Sequence, residues 1–303
     1  KVLEPDTHVI FENKGDKIYF KGNNPTGFSH GGNESRIYMS GLIAAYGSVM
    51  SLIDGVGDTK VIPCDSCFSG LFSGCYDALT RAPKLPAMEL RRNCYQVMFG
   101  ECTGLTEAPE LPATELADYC YGDMFRGSSL TSAPVLPAMK LAKGCYSGMF
   151  SLCNELTGMP ELPATELASG CYASMFSYCG NLSQTTELPA MKMEEYCYCG
   201  MFSGCLRLRT APKLPATKLA PNCYAYMFSS CKTLVNAPEL PVEELDEECY
   251  AGMFYFCECL RKAPELLATE LKRNCYESMF YLCSKLNYIK VGVTTLDNDF
   301  FAT

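Results

Sequence analysis

The stretch Cys171-Tyr172-Ala173-Ser174-Met175-Phe176-Ser177-Tyr178-Cys179 is one copy of a frame that runs through most of the chain. Cys-Tyr recurs at Cys94, Cys120, Cys145, Cys171, Cys197, Cys223, Cys249 and Cys275, in steps of 26 residues with a single step of 25. Met-Phe follows four residues after each of those cysteines, from Met98-Phe99 to Met279-Phe280. A second cysteine falls eight residues after the first in every unit but one, where Ser128 takes its place. A degenerate leading copy, Cys67-Phe68, Leu71-Phe72 and Cys75, stands 27 residues before the first full one. The compressed unit is L-T-x-A-P-x-L-P-A-x-x-L-x-x-x-C-Y-x-x-M-F-x-x-C-x-x.

A unit this short cannot bury its own apolar face, but stacked neighbours bury a continuous core. The expected fold is therefore an α/β repeat solenoid of about eight units. Leu167, Cys171, Met175, Cys179 and Leu182 have spacings of three and four, which predicts a helix of two to three turns. The A-P-x-L-P segment is expected to be extended, because proline fixes its own φ and biases the preceding residue away from the α region. Proline also limits ladder pairing, to three or four residues per coil at most.

Residues 61–286 hold this array. Residues 1–60 do not repeat and read as a β-rich cap over the raw end of the stack, with an independent small β-domain as the alternative. Within them, His8-Val9-Ile10-Phe11 and Lys17-Ile18-Tyr19-Phe20 flank the turn-like Asn13-Lys14-Gly15-Asp16 and read as a hairpin. Arg36-Ile37-Tyr38-Met39 reads as a further strand, and the stretch from Gly41 to Ile53 as one or two more. Residues 287–303 would close the other end. A start at Lys1 without a targeting pattern reads as a trimmed chain, and the stop at Thr303 as one the native chain passes.

The 303 residues include 20 cysteines and no tryptophan, with 48% apolar residues and a net charge of −9. Dispersed cations and net negative charge argue against nucleic acid and anionic membrane as partners, since phosphate binding draws on clustered Lys and Arg. No apolar run approaches the length of a spanning helix. Two cysteines eight apart on a helix lie roughly 12 Å from each other, and equivalent cysteines on neighbouring helices about one helix diameter, both beyond bridging distance. The thiols are therefore expected to be buried and reduced, with a disulfide framework as the alternative. Cys199, Cys259 and Cys64 stand outside the repeated columns and are expected to be more open.

Chemistry-bearing motifs are sparse. The two histidines, His8 and His30, stand beside no nucleophile, and no phosphate loop, nucleophile elbow or zinc-protease pattern is present. Cys64-Asp65-Ser66-Cys67 is a lone C-x-x-C without the second pair a zinc site wants. Asn33-Glu34-Ser35 and Asn181-Leu182-Ser183 match the short glycosylation acceptor pattern. No enzyme, metal or cofactor is expected.

The units resemble the bacterial BspA-like (Treponema-type) leucine-rich repeats, in the gut Bacteroidales branch with C-Y-x-x-M-F-x-x-C-x-x-L-T-x-A-P-x-L-P-A repeats. Gly15-Asp16-Lys17-Ile18-Tyr19-Phe20-Lys21-Gly22-Asn23-Asn24 and Ser48-Val49-Met50-Ser51-Leu52-Ile53 resemble the module preceding such arrays, and Leu286-Asn287-Tyr288-Ile289-Lys290 their closing segment. The resemblance implies a right-handed solenoid, cell-surface or secreted placement, adhesion or recognition, and no catalytic residues. Leu267 departs from it by replacing a proline, which is expected to loosen the last full coil.

Differences between units separate core from surface. The column two after the leading Leu is the most diverse, running Arg81, Glu107, Ser132, Gly158, Gln184, Thr210, Asn236 and Lys262. A further column alternates Glu115, Lys140, Glu166 and Lys192, where stacking would set opposite charges side by side. Arg81, Glu107, Gln184, Arg209 and Lys262 are candidates for a ligand-binding face. Tyr178, Tyr226, Tyr255, Phe256 and Tyr281, standing where other units carry Ser or Gly, are the aromatic candidates, the last four of them clustered toward one end. The plainer readings are a solvated face for the first set and lateral packing for the second. The function expected is a non-catalytic recognition or adhesion scaffold for protein or glycan. The alternatives are a structural spacer presenting other domains and a phage-encoded receptor-binding component.

Overall fold

The computed structural model describes residues 7–29 and 35–293. Its elements are few: β1 (Ile43–Ala44), α1 (Ser51–Asp54), β2 (Leu79–Arg81), β3 (Lys262–Leu266) and β4 (Tyr288–Val291). β1 pairs with β2 and β3 with β4, both in parallel. Everything between is a stack of coils joined by hydrogen bonds that advance one repeat at a time.

The C-Y-x-x-M-F-x-x-C segment is not a helix, which corrects the expectation from its apolar spacing. In the coil of Cys171, Gly170, Ser174 and Tyr178 have φ of 62°, 54° and 58°, so every fourth residue is left-handed. No α-helix tolerates that. The residues between take turns at two kinds of bond. Gly170, Tyr172, Ser174, Phe176 and Tyr178 donate their N–H groups forward to carbonyls of the next coil, at 2.6–3.0 Å. Cys171, Ala173, Met175, Ser177 and Cys179 donate three residues back within their own coil, at 3.0–3.2 Å. Forward bonds land on one set of carbonyls and backward bonds on the other, so the buried backbone is satisfied without helix or regular strand. The true period is four, with two adjacent residues (Cys-Tyr, then Met-Phe) turned inward and a left-handed residue closing each turn.

This ribbon brings equivalent side chains into register. Tyr95, Tyr121, Tyr146, Tyr172, Tyr198, Tyr224, Tyr250 and Tyr276 stack with centroids 5.7–5.9 Å apart. Phe72 and the phenylalanines from Phe99 to Phe280 form a second ladder with steps of 5.5–5.9 Å and planes within 11° of parallel. The spacing and tilt are those of offset-stacked rings. The Met, Cys and Leu columns pack around the two ladders, nearly all fully buried. A repeat architecture with a periodic aromatic core is thus plain in the structure.

The tyrosine ladder begins on Phe68, which lacks a hydroxyl. Among the described residues, the Tyr95 hydroxyl is the one buried side-chain polar atom without a hydrogen-bond partner. Tyr95→Phe is therefore expected to be neutral or to stabilise by up to about 1 kcal/mol, because it removes an unpaid desolvation penalty. Chemical denaturation checks this; a loss of about 2 kcal/mol or more would show that the hydroxyl is bonded after all.

The cysteines are free thiols, and seventeen of the twenty are buried; Cys64, Cys199 and Cys259 are partly open. The coils stack at the roughly 5 Å spacing of hydrogen-bonded chains, far closer than helices pack, so it is not separation that leaves the cysteine columns unbridged. What holds the second cysteine column is a hydrogen bond. Sγ of Cys153, Cys179, Cys205, Cys231, Cys257 and Cys283 lies 3.0–3.2 Å from a phenylalanine carbonyl of the preceding coil. Ser128 fits the same column, with its hydroxyl 3.4 Å from Cys153 Sγ.

The extended side of each coil is sparsely paired. Gly158–Gln184, Thr210–Asn236 and Asn236–Lys262 make isolated parallel bridges. Pro160, Pro212, Pro238 and Pro264 follow two residues later and can donate nothing to a ladder. Thr186 replaces that proline in one coil and its hydroxyl donates to the Pro160 carbonyl at 3.0 Å. The coil carrying Leu267 is not loosened as expected. Its β3 is the longest strand described, because β4 is free of proline and Gly292 N–H donates to the Leu266 carbonyl at 2.7 Å.

The N-terminal segment also departs from expectation. Residues 7–29 contain no strand, and the anticipated hairpin is reduced to a turn at Asn13–Asp16. Residues 35–39 likewise form no strand, although Ile37 N–H donates to the Leu71 carbonyl at 2.7 Å. Gly22 and Asn24 instead donate to the Ser51 and Ile53 carbonyls, and Phe28 extends the aromatic ladder at 6.2 Å from Phe68. The segment joins the first coil piecemeal. The stretch from Gly41 to Ile53 gives β1 and the start of α1. Asp54, at the end of α1, accepts the N–H groups of Val56, Gly57, Asp58 and Thr59, which hold its carboxyl down at about 2.

Candidate functional site

The variable column is a single file along the stack. Lys262 pairs across to Asn236 on one side and Tyr288 on the other, and Gln184 to Gly158. Arg81, Glu107, Gln184 and Lys262 are all exposed, as is Arg209 in the adjoining column. The two ends are covered by aromatic rings: the Arg81 guanidinium lies 5.0 Å from the Tyr46 centroid, and the Lys262 ammonium 5.7 Å from that of Tyr288. The mixed-sign column behaves only partly as anticipated. Lys140 reaches Glu166 at 3.9 Å, but Lys192 stands beside Lys218 and turns to Glu194 at 2.7 Å. Both pairs are well exposed, so each contributes roughly 0–1 kcal/mol.

The five aromatic candidates divide. Tyr255 stacks on Tyr281 at 5.0 Å and touches Phe256 at 5.9 Å, and the Lys232 ammonium sits 5.0 Å from the Phe256 centroid. All three rings are half-buried, in columns where earlier coils carry Ser177, Ser203 and Ser229, or Gly204 and Ser230. Tyr178 and Tyr226 are more open, and among the described residues neither ring stacks on this cluster or on the other. Each occupies a left-handed position and lies across the glycine of the next coil: a Cβ on Gly204 would meet the Tyr178 ring, and one on Gly252 the Tyr226 ring. Their exposed rings cover backbone that a glycine leaves bare.

One surface feature was missed in the sequence. Tyr119, Gly144, Gly170 and Tyr196 are successive members of the left-handed column just before the first cysteine. They frame a shallow open depression of about 410 Å³, lined by Tyr119, Lys143, Ser147, Ser169, Gly170, Ala173, Glu195 and Tyr196. The signal was two consecutive glycines in one column, between two tyrosines. It becomes visible only once that column is known to face outward.

Among the described residues, no group of three or more His, Cys, Asp or Glu is placed to hold a metal ion, and no helix is long and apolar enough to cross a membrane. Cys64 contacts the Ser29 carbonyl at 3.5 Å, and burial pushes the Cys67 thiol up to about 12. His30 and Asn33-Glu34 lie outside the described residues. In the other glycosylation pattern Asn181 is half-buried beside the fully buried Leu182. No family model, no curated protein and no solved structure matches this chain.

Proposed function

We infer that the chain is a non-catalytic recognition scaffold, a right-handed leucine-rich-repeat-like solenoid of the BspA-like kind, displayed at a cell surface or secreted to bind protein or glycan. The observation that carries this reading is the Tyr255–Phe256–Tyr281 cluster. The core columns are all but invariant from coil to coil, so packing alone explains them. Three adjacent aromatic rings, in columns where other coils carry residues as different as Ser229, Arg126, Gly204 and Glu101, are not required by the stack. Half-buried aromatic groups of this kind are typical anchors in binding surfaces.

An array of host proteins and glycans tests the proposal. Saturable binding is expected, nearly independent of salt, because an aromatic contact is not screened as exposed charges are. A Tyr255→Ala, Phe256→Ala, Tyr281→Ala triple variant should keep its far-UV circular dichroism and lose about 2 kcal/mol or more of affinity, roughly thirtyfold. Undiminished binding by the folded triple variant removes this site. An absence of saturable binding to anything on the array leaves the chain a structural spacer.

A further inference from the structure

The depression between Tyr119 and Tyr196 lies apart from the Tyr255 cluster. It exists because the outward column changes character over two coils. Asn93, Asn222 and Asn274 fill other positions of that column, and Tyr119 and Tyr196 fill two more, but Gly144 and Gly170 carry no side chain. The two glycines differ. A Cβ on Gly144 would overlap the Tyr119 ring, so that ring already lies across it, whereas a Cβ on Gly170 would meet nothing within 4 Å. The open slot therefore sits over Gly170, between the Tyr119 ring and the coil of Tyr196. Two coil steps span about 10 Å at the usual spacing of hydrogen-bonded chains, room for one six-membered ring with its van der Waals surfaces.

The lining narrows what such a ring would be. Lys143 flanks the slot on one coil and Glu195 on another, opposite charges that leave it neutral overall. An anion would be repelled by Glu195, and the floor offers it no free backbone N–H: Gly144 donates to Ser169, Gly170 to Glu195, Ser147 to Gly144 and Ala173 to Gly170, at 2.9–3.1 Å. A cation would be repelled by Lys143. What remains available is two tyrosine rings, two serine hydroxyls, and one charged donor with one charged acceptor. This set matches a molecule with apolar C–H faces and a rim of hydroxyls that both donate and accept.

We propose that the slot over Gly170 binds a neutral hexopyranose unit of a glycan chain. The sugar's C–H face rests on tyrosine, and its hydroxyls bond Ser147, Ser169, Lys143 and Glu195. The slot is open at the surface, so it suits an internal or terminal unit of a longer chain.

The test uses the full chain and isothermal titration with neutral tetrasaccharides of glucose, galactose and mannose. Tetramethylammonium and an acidic peptide serve as probes of the competing chemistries. The decisive variant is Gly170→Asn. Asparagine already occupies this left-handed column at Asn222, with φ of 55°, so the fold tolerates it while the slot is filled. At least one tetrasaccharide should bind saturably, and Gly170→Asn and Tyr196→Ala should each weaken it at least tenfold. The Tyr255→Ala, Phe256→Ala, Tyr281→Ala variant should leave that binding unchanged, which separates this site from the aromatic cluster. The proposal is overturned if no tetrasaccharide binds, if Gly170→Asn binds as well as the parent, or if only the cation or the peptide binds.

Discussion

Alkali is expected to unfold this protein cooperatively, with its thiols appearing as thiolates in the same step. Burial pushes Cys171, Cys223 and Cys231 up from the ordinary 9.0 to about 12. Burial also holds Cys94, Cys179, Cys197 and Cys205 well above the ordinary value, each with added repulsion from cysteines in adjoining coils. Below pH 9 both folded and unfolded chains keep these protons, so the thiols cost nothing. Above it the unfolded chain ionises while the folded chain does not, and stability falls until the pH passes the folded value. Each such thiol removes about 1.4 kcal/mol per pH unit in that window. Cys171, Cys223 and Cys231 alone remove about 4 kcal/mol per unit, against a total stability on the order of 5–15 kcal/mol. Over about two units above pH 9 these three remove about 8 kcal/mol, and the other buried thiols add to that loss, so unfolding is expected within that window. The buried tyrosine ladder, raised by the same desolvation, reinforces the effect at higher pH. Thiolate absorbance and circular dichroism followed together during a pH titration check this. Thiolates that accumulate gradually while the dichroism holds steady would mean that the thiols are not buried.

Phe176→Ala is expected to cost about 3–5 kcal/mol, the range for truncating a fully buried phenylalanine. The ring is completely buried, 5.6 Å from Phe150 and 5.9 Å from Phe202, so its loss interrupts the ladder in the middle. The main-chain carbonyl of residue 176, which accepts from the Cys205 thiol at 3.2 Å, is kept in the variant, so the loss reads the ring alone. Each coil is coupled to its neighbours alone, so the damage should centre on the coils of Phe150, Phe176 and Phe202. Hydrogen exchange resolved along the chain should show protection falling there first and persisting toward both ends. Equal loss of protection throughout would contradict a quasi-linear stack.

Much of this was legible in the sequence, because periodicity identifies a core whatever the local conformation. Spacing alone turns the Leu, Cys and Met columns inward, and the chemistry of proline gives the A-P segment a short ladder. Conformation was harder. A spacing of four is near enough to 3.6 to pass for a helix. Two observations could have separated them: Cys-Tyr and Met-Phe are adjacent pairs that both point inward, and the residue closing each turn is often Gly, Asn, Asp or Ser. The hairpin near residues 8–20 failed because an alternating pattern shows what could pair, not what does. At the surface, Tyr255, Phe256 and Tyr281 touch one another, while Tyr226, toward the same end in the sequence, covers a glycine one coil away, which no sequence pattern shows.

The central claim is that the C-Y-x-x-M-F-x-x-C segments form a hydrogen-bonded ribbon of turns, not helices. Far-UV circular dichroism of the native protein tests it most directly. The described structure contains one helix of four residues, so the spectrum should lack the paired minima of helix and stay unchanged until cooperative unfolding. Eight helical segments of two to three turns each would instead give strong paired minima, and that spectrum would contradict the stacked-ribbon account.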